Sequence, residues 1–254
     1  MSVDVTTDGS VTTVTLNRPQ VMNAFDEAVA ARIADAVGAA ADDASCRVIV
    51  ITGAGRGFCA GADLGCLREI VATHDHERAR DLVSSGARIV QTIVSAPKPV
   101  IAAVNGAAAG GGASLALACD IRIASSDASL GAVFTRIGLQ PDLGATYLLP
   151  LLAGFGRAME LVLTGEMIQA PEAHRIGLFN RVVAADALLD EAYAVARALA
   201  RQSPAALART KSSMHAAIGG ILNDALAREL KQQLALVDTE EVREALFRKS
   251  KSAR

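Results

Sequence analysis

Segments with the pattern of β-strands alternate with segments of helical pattern along most of the chain. Polar and apolar residues alternate at 10–17, which predicts a strand of an antiparallel sheet with one face in solvent. A helical pattern at 25–41 and a β-rich segment at 47–52 follow. A second helix at 76–94 leads to an apolar strand at 99–104. This order indicates an α/β fold, in which helices and strands share one core.

The pattern changes after Ala184, beyond which only helices are predicted. They lie at 186–201, 204–218, 221–236 and from Thr239 onward. Because apolar helix faces without a sheet of their own usually pack on a neighbour, we expect this region to form contacts between subunits. The predicted organisation is therefore a core at 1–185 and a helical oligomerisation region at 186–254.

The composition indicates a folded protein of ordinary surface charge. Of the 254 residues, 51% are hydrophobic and 20% are charged, and the formal net charge is −2, so the chain can bury a large core. A pI of about 6.1 provides no basic field for nucleic acid. With 3% aromatic residues and no tryptophan, few side chains could stack on bases. We therefore expect no nucleic-acid partner.

The cysteines and the start of the chain favour a cytoplasmic protein. No CxxC spacing or neighbouring histidine cluster indicates a metal site, and the four cysteines are Cys46, Cys59, Cys66 and Cys119. No basic residue precedes Arg18, which does not fit a signal or transit peptide. The longest uncharged segment, 99–119, contains a proline, an asparagine and several glycines, and folded core explains it better than a membrane span. We expect reduced thiols, no metal and no membrane partner.

Three glycine-bearing loops follow predicted strands, where α/β proteins build their sites. The loop in VIVITGAGRGFCAGADL superficially resembles that of short-chain dehydrogenases, but it does not follow the first strand of the chain. Neither Tyr147 nor Tyr193 has the lysine four residues later that those enzymes need. Residues 110–114 do not fit GxGxxG, and GxxxxGK[ST] does not occur. Dinucleotide and nucleoside-triphosphate sites are therefore disfavoured.

Two of these loops bring glycines to a predicted helix start, at 61–63 and at 110–112. Helix N-termini present N–H groups without intrahelical partners and the positive end of the helix dipole, so two that converge form an oxyanion hole. A substrate of such a site passes through an enolate or a similar anion. The alternative is that both loops are ordinary tight connections.

Five segments resemble, in order and spacing, the crotonase family of enoyl-CoA hydratases and isomerases. They are LNRPQVMNAFD at 16–26, FCAGADL at 58–64, NGAAAGGGASLALACDIRIA at 105–124, GLQPDLGATYLLP at 138–150 and IGLFNRVV at 176–183. The resemblance covers nearly all of the chain. It implies an α/β fold built as a spiral of ββα turns, with C-terminal helices that assemble trimers, often paired as hexamers. It also implies an acyl-CoA substrate, with coenzyme A present as part of that substrate and no permanently bound cofactor.

The resemblance also indicates which residues bind the substrate. In the family, two backbone N–H groups grip the thioester carbonyl, and their positions here are Ala62 and Gly111. Coenzyme A is held mainly by the backbone of two loops, which correspond to Met22, Asn23, Ala24, Phe25, Ala60, Ala62, Asp63 and Leu64. Arg18 and Arg68 are candidates for its phosphates, with solvated surface arginines as the alternative.

The sequence departs from the family's hydratases at the two carboxylates that help to hydrate an enoyl thioester. Ser114 and Phe134 occupy the two glutamate positions. A serine hydroxyl cannot replace a carboxylate as base at neutral pH, and a phenyl ring exchanges no protons. Ordinary crotonase hydration is therefore not expected.

One acid, Asp142, remains near the predicted site. In relatives that do not hydrate, including epoxyphenylacetyl-CoA isomerases, an aspartate at this point does the chemistry, and PDxGxxxLLP is most similar to that isomerase branch. A single carboxylate is sufficient for a 1,3-proton shift while an oxyanion hole stabilises the dienolate. Asp142 is also a good N-cap for a short helix over LGATYLL, and the two roles can coexist.

The sequence therefore predicts a crotonase-family enzyme that isomerises a double bond or a ring in an acyl-CoA thioester through Asp142. We expect Phe134 to line the cavity beside Asp142 and to raise the pKa of that carboxyl. One alternative is an enoyl-CoA hydratase with an acid elsewhere in the chain. The other is a non-catalytic acyl-CoA-binding subunit, which the loss of both glutamates suggests.

Overall fold

The computed structural model describes residues 2–248, and its strands form two sheets. The strands are β1 (Val3–Asp8), β2 (Val11–Leu16), β3 (Val48–Gly53), β4 (Gly57–Cys59), β5 (Val100–Val104), β6 (Ala107–Ala109), β7 (Ile121–Ser125), β8 (Ser129–Gly131), β9 (Ile168–Gln169) and β10 (Arg181–Val183). The larger sheet has the order β1-β2-β3-β5-β7-β10 and is parallel except for the β1–β2 pair. The smaller sheet has the order β4-β6-β8-β9, with only the β8–β9 pair antiparallel.

Helices surround both sheets and make up most of the second half of the chain. They are α1 (Glu27–Asp42), α2 (Leu64–Thr73), α3 (His76–Ser95), α4 (Gly111–Ala118), α5 (Ala145–Ala153), α6 (Phe155–Thr164), α7 (Ala170–Arg175), α8 (Leu188–Ala200), α9 (Pro204–Leu236) and α10 (Glu240–Phe247), with short 3-10 turns at Pro19–Val21, Val133–Ile137 and Ala185–Ala187. Between residues 2 and 248, no helix combines the length and apolar composition needed to cross a membrane.

The chain winds in repeated turns, each made of two strands and a helical segment. β3 of the larger sheet leads to β4 of the smaller sheet and then to α2 and α3. β5, β6 and α4 repeat this order, and β7 and β8 begin the next turn. The α/β fold with a ββα spiral, expected from the resemblance, is therefore confirmed.

The central strands are buried on both faces, which explains their continuous apolar sequences. In β3, Ile49 and Ile51 belong to the main core. Val48 and Val50 belong to a second cluster on the opposite face of the sheet, where they pack with Leu188 of α8. The core therefore has two layers, and the sheet separates them.

The strand predicted at 10–17 is present as β2, but the expectation that one of its faces is in solvent was wrong. Thr12 and Thr13 lie on opposite faces of the strand, and both are buried. On the face that carries Thr13, the hydroxyl oxygens of Thr13 and Tyr193 on α8 lie 3.1 Å apart in a hydrogen bond. α8 covers this face because it carries small and apolar residues along one side. Its apolar face is buried within its own chain and needs no other subunit to cover it.

The segments predicted as separate helices at 204–218 and 221–236 form the single helix α9. The predicted break was wrong because Gly219 and Gly220 retain their backbone N–H groups. A glycine in a helix interior costs only about 1 kcal/mol relative to alanine, so this pair weakens the helix without ending it. The rest of the predicted helical region is present as α8 and α10, and its residues 249–254 lie outside the described part.

α9 is anchored to the core of its own chain at both ends. In its first half, Lys211 Nζ lies 2.8 Å from Asp120 Oδ2 and also donates to the carbonyl oxygen of Ile93. In its second half, Glu229 and Gln233 form hydrogen bonds with the loop that precedes α5. α9 therefore brings residues from the C-terminal region to a loop of the spiral.

Candidate active site

A mainly apolar cavity of about 640 Å³ lies among the glycine loops, α2, α3, the 3-10 turn at Val133–Ile137 and α9. Nine of the ten residues predicted as catalytic or as coenzyme A-binding loop positions line it: Met22, Ala24, Phe25, Ala60, Ala62, Asp63, Leu64, Gly111 and Asp142. Only Asn23 of the proposed set is not part of the lining. The fold thus brings together residues from four separate segments of the sequence.

The two glycine loops meet at Gly61, which has a φ of +85°. A Cβ atom at Gly61 would lie 2.8 Å from the Gly111 nitrogen and 2.9 Å from the Ala109 carbonyl oxygen. Contacts this short with backbone atoms exclude any side chain. Gly112 has the same role on the other loop, because its Cβ would lie 2.1 Å from the Cys59 carbonyl oxygen. The two backbones approach each other closely because these positions lack side chains.

The backbone N–H groups of Ala62 and Gly111 donate no hydrogen bond within residues 2–248. Ala62 forms a parallel bridge with Phe25 that uses the flanking groups, since Phe25 N donates to Gly61 O and Asp63 N donates to Phe25 O. Gly111 is the first residue of α4, where an N–H has no intrahelical acceptor. Two unused donors at one cavity can bind the oxygen of a polarised carbonyl group.

Asn23 supports the loops from behind the cavity. Its buried side chain donates to the carbonyl oxygens of Ala54 at 2.9 Å and Gly57 at 2.8 Å, while its Oδ1 accepts from Arg18 N at 2.9 Å. These bonds hold Asn23 at a φ of +57°, which asparagine tolerates better than most residues. Asn23 therefore supports the loop and does not line the cavity.

The charged side chains near the two loops are already engaged with the protein. Arg18 Nη2 lies 3.1 Å from Asp63 Oδ2, and Asp63 Oδ1 accepts from Gly65 N to cap α2. Arg68 Nε donates to the carbonyl oxygen of Leu246 at 2.8 Å. Arg136, which the sequence reasoning did not select as a binding residue, also lines the cavity.

Asp142 is held at the cavity wall by a strained turn. The next residue, Leu143, has a φ of +54°, a conformation that costs a leucine about 1–2 kcal/mol. The Leu143 side chain fills the space beside two glycines, since a Cβ would lie 2.6 Å from it at Gly86 and 2.9 Å from it at Gly111. Ser114 Oγ donates to the Asp142 carbonyl oxygen at 2.9 Å. The serine at the family's first glutamate position therefore fixes the backbone of Asp142.

Glu229 of α9 secures the same turn from the side opposite the cavity. Its carboxylate accepts hydrogen bonds from Gly144 N at 2.7 Å and Thr146 N at 3.0 Å, and it also accepts one from the Thr146 hydroxyl. Glu229 is 2% exposed and does not line the cavity. Its oxygens satisfy N–H groups at the start of α5, which carries no side-chain cap of its own.

The Asp142 side chain does not cap α5. The helix begins at Ala145, with Gly144 as its N-cap residue, while Asp142 Oδ2 accepts a hydrogen bond of 2.8 Å from Gln233 Nε2. The prediction of an N-cap was wrong because the turn at Leu143 moves the helix start and directs the carboxyl to α9. Burial raises the pKa of Asp142 to about 7, and neighbouring Glu229 contributes to the rise while the bond from Gln233 opposes it.

Phe134 lies in the same cavity wall as Asp142 and is 7% exposed. Its ring packs beside Gly110, where a Cβ would lie 3.9 Å from the ring edge.

Cys59 lies beneath the loops, and burial raises the pKa of its thiol to about 12, so it is not a ready nucleophile. Asp142 is thus the acid of the cavity without a basic partner in the described part, since Asp63 is paired with Arg18.

The ββα spiral defines a crotonase-type fold. Residues 6–252 match the enoyl-CoA hydratase/isomerase family. The chain is 41% identical over 227 residues to 1,2-epoxyphenylacetyl-CoA isomerase of Escherichia coli, with 88% of this chain and 85% of that protein covered. It is 40% identical over 199 residues to crotonyl-CoA hydratase of Syntrophomonas wolfei, with 78% and 75% covered.

A solved structure gives the same result. A crystal structure of an enoyl-CoA hydratase from Mycobacterium avium subsp. paratuberculosis superposes with a TM-score of 0.88 at 37% identity, and the match covers 96% of this chain and 97% of that one. The chain therefore belongs to the enoyl-CoA hydratase/isomerase family, whose members are enzymes that act on coenzyme A thioesters. The resemblance seen in the sequence is confirmed.

The close approach of the loops predicts a specific effect of Gly61→Ala. The added methyl group would push Gly111 away, so we expect acetyl-CoA affinity measured by calorimetry to fall at least tenfold. Gly154→Ala is the matched control, because Gly154 has a φ of +79° and open space around its Cβ position. Both variants should lose stability, the control by about 1–3 kcal/mol from backbone strain alone and Gly61→Ala by more because its methyl group meets backbone atoms, but the control should retain affinity. Equal affinities in the two variants would contradict this interpretation.

The raised pKa of Asp142 predicts a pH-dependent gain in stability for Asp142→Asn. Ionising a buried carboxyl lowers the free energy of unfolding. This loss is absent below about pH 4, grows between pH 4 and pH 7, and is constant above pH 7. Asparagine removes that loss, so the variant should gain on the order of 2–4 kcal/mol at pH 8 and almost none at pH 4. Urea unfolding at both pH values measures the difference, with exposed Asp81→Asn as control. An equal gain in stability at both pH values would show that the pKa of Asp142 is not raised in the folded protein.

Proposed function

We propose that this enzyme isomerises a double bond or a ring in an acyl-CoA thioester, with Asp142 as its only general acid/base. The observation that supports this most is the composition of the cavity wall. It places one buried carboxyl without a basic partner, Asp142, in the same cavity as the unused N–H groups of Ala62 and Gly111. A proton carrier and an oxyanion site are together sufficient for proton transfer through an enolate.

The reaction proceeds in two proton transfers. The Asp142 carboxylate removes a proton from the α-carbon of a 3-enoyl thioester, and the electron pair moves onto the thioester oxygen to give a dienolate. The Ala62 and Gly111 N–H groups stabilise that oxygen. Asp142 then returns the proton to the γ-carbon, which leaves a 2-enoyl thioester and the starting carboxylate. No water is consumed, and atoms and charge balance.

The environment of Asp142 suits both halves of this cycle. With a pKa of about 7, the carboxyl is close to half ionised at neutral pH, so it can accept a proton and release it again. Phe134, Leu139 and Leu143 line the same cavity and give its wall apolar surface. The loops carrying Ala24, Phe25, Ala60, Asp63 and the other lining residues would bind coenzyme A mainly through backbone groups.

Hydration is the second candidate function, because crotonyl-CoA hydratase of Syntrophomonas wolfei is among the relatives. A hydratase here would need a second acid or base to activate water. The other buried carboxylate near Asp142 is Glu229, which accepts three hydrogen bonds and lies outside the cavity lining. Ser114 is committed to the Asp142 carbonyl. These contacts favour isomerisation over hydration.

The test compares wild type with Asp142→Asn on 2-enoyl, 3-enoyl and 2,4-dienoyl thioesters in ¹⁸O-labelled water. Wild type should shift double bonds without taking up labelled oxygen, and Asp142→Asn should bind the esters but lose isomerisation by roughly 10² or more. Asp81→Asn on exposed helix surface should behave as wild type. Labelled hydroxyacyl products would support a hydratase. Binding without turnover of any ester would support a non-catalytic acyl-CoA-binding subunit.

We also propose a homotrimer, alone or paired as a hexamer. Exposed apolar side chains recur at i, i+4 and i+8 on α6, where Phe155 is 72%, Met159 40% and Leu163 67% exposed. Burial of such a stripe between subunits is favourable. The oligomerisation assigned to 186–254 would then be shared with the spiral core.

Light scattering at micromolar concentration should therefore give a mass of three or six chains. Phe155→Glu together with Leu163→Glu places two charges on the stripe and should yield smaller species. The paired control, Glu166→Gln with Glu160→Gln, alters nearby surface charge and should leave the assembly intact. A monomeric wild type would contradict the proposal.

A further inference from the structure

We propose that Gln233 of α9 is a positioning residue for the reaction, which locks one oxygen of Asp142 and leaves the other free to carry the proton. The inference rests on the proposed function of Asp142. Gln233 is 5% exposed, lines the cavity and lies 91 positions from Asp142 in the sequence. Nothing in the sequence motifs pointed to it.

The orientation of the Gln233 amide is fixed by a second acceptor. Nε2 donates to Asp142 Oδ2 at 2.8 Å and to the carbonyl oxygen of Gln140 at 2.9 Å. A backbone carbonyl can only accept, so a flipped amide would place Oε1 against another oxygen. Gln233 therefore presents N–H to Asp142 whether the carboxyl is ionised or protonated.

The other ends of both side chains are unpaired in the described part of the chain. Asp142 Oδ1 forms no hydrogen bond there, so it is available for proton transfer. Gln233 Oε1 is buried without a donor, which carries a desolvation cost. A methionine would fill a similar volume without that cost. The amide is therefore better explained by its two donated bonds than by packing.

The charged groups around Asp142 determine how the N–H of Gln233 affects the pKa of its carboxyl. Glu229 on α9 lies near it outside the cavity lining, and the charged side chains at the cavity are Asp63 at the N-cap of α2, Arg68 on α2 and Arg136 on the 3-10 turn. Burial and Glu229 favour the protonated carboxyl, whereas the N–H of Gln233 stabilises the carboxylate. Loss of the donor should therefore raise the pKa of Asp142 further and reduce the fraction of base at neutral pH.

The experiment measures the pH dependence of kcat/KM for Gln233→Met on the ester that wild type isomerises. The acid limb should move up by about one pH unit, so the rate at pH 6 should fall about tenfold and recover at high pH. Gln232→Met is the matched control, since Gln232 is the exposed neighbour on the same helix, and its limb should not move. An unmoved limb in Gln233→Met would overturn the proposal, even if the rate fell uniformly.

A second measurement separates this inference from the proposed function. Carboxyl ¹³C resonances titrate Asp142 directly, without substrate or turnover, and Asp142→Asn identifies the signal. Its midpoint should rise in Gln233→Met and not in Gln232→Met. If wild type and Asp142→Asn had equal activity, the proposed function would fail while this titration would still report the contact. Should Gln233→Met not fold, Gln233→Leu also removes the donor without adding a charge and should move the midpoint in the same direction. An unchanged midpoint in the folded variant would refute the contact's role.

Discussion

The contact between the two glycine loops is the constraint on which the site depends. Gly61 lies so close to Gly111 that neither loop could hold its position if Gly61 carried a side chain. The bridge between Phe25 and Ala62 and the buried amide of Asn23 fix one loop, and the start of α4 fixes the other. As a result two N–H donors remain unused at one cavity. The proposed oxyanion site, built from backbone in this way, needs no side chain for its chemistry, but it needs glycines around it.

The second element of the site comes from the far end of the chain. Glu229 holds the strained turn at Leu143, and Gln233 binds the carboxyl of Asp142, so α9 both supports the site and tunes it. A strained turn and a buried acid each destabilise the fold, and such features persist where surrounding contacts determine them. Both destabilising features lie at the position of Asp142, whose pKa near neutrality suits a proton carrier.

The strands, helices and glycine loops could be predicted from local patterns in the sequence, whereas the spiral and the acid of the proposed site came from the family resemblance. Buried strands followed by glycines predicted the loops, and the loss of the glutamates at Ser114 and Phe134 directed attention to Asp142. The contribution of α9 could not be found in the same way, since Glu229 and Gln233 lie 85 and 91 positions from their partners. From its sequence pattern, α9 was expected to contact other subunits. The structure shows that one face of α9 packs on the core of its own chain.

In the proposed reaction, one carboxyl moves one proton along the acyl chain. The most direct measurement uses a 3-enoyl thioester carrying deuterium at the α-carbon, with a single turnover in ordinary water followed by mass spectrometry of the product. Because Asp142 is only 9% exposed, part of the deuterium should remain on its carboxyl long enough to reach the γ-carbon. The same transfer should be absent in Asp142→Asn. Turnover with no deuterium at the γ-carbon in wild type, or equal transfer in the variant, would contradict the account.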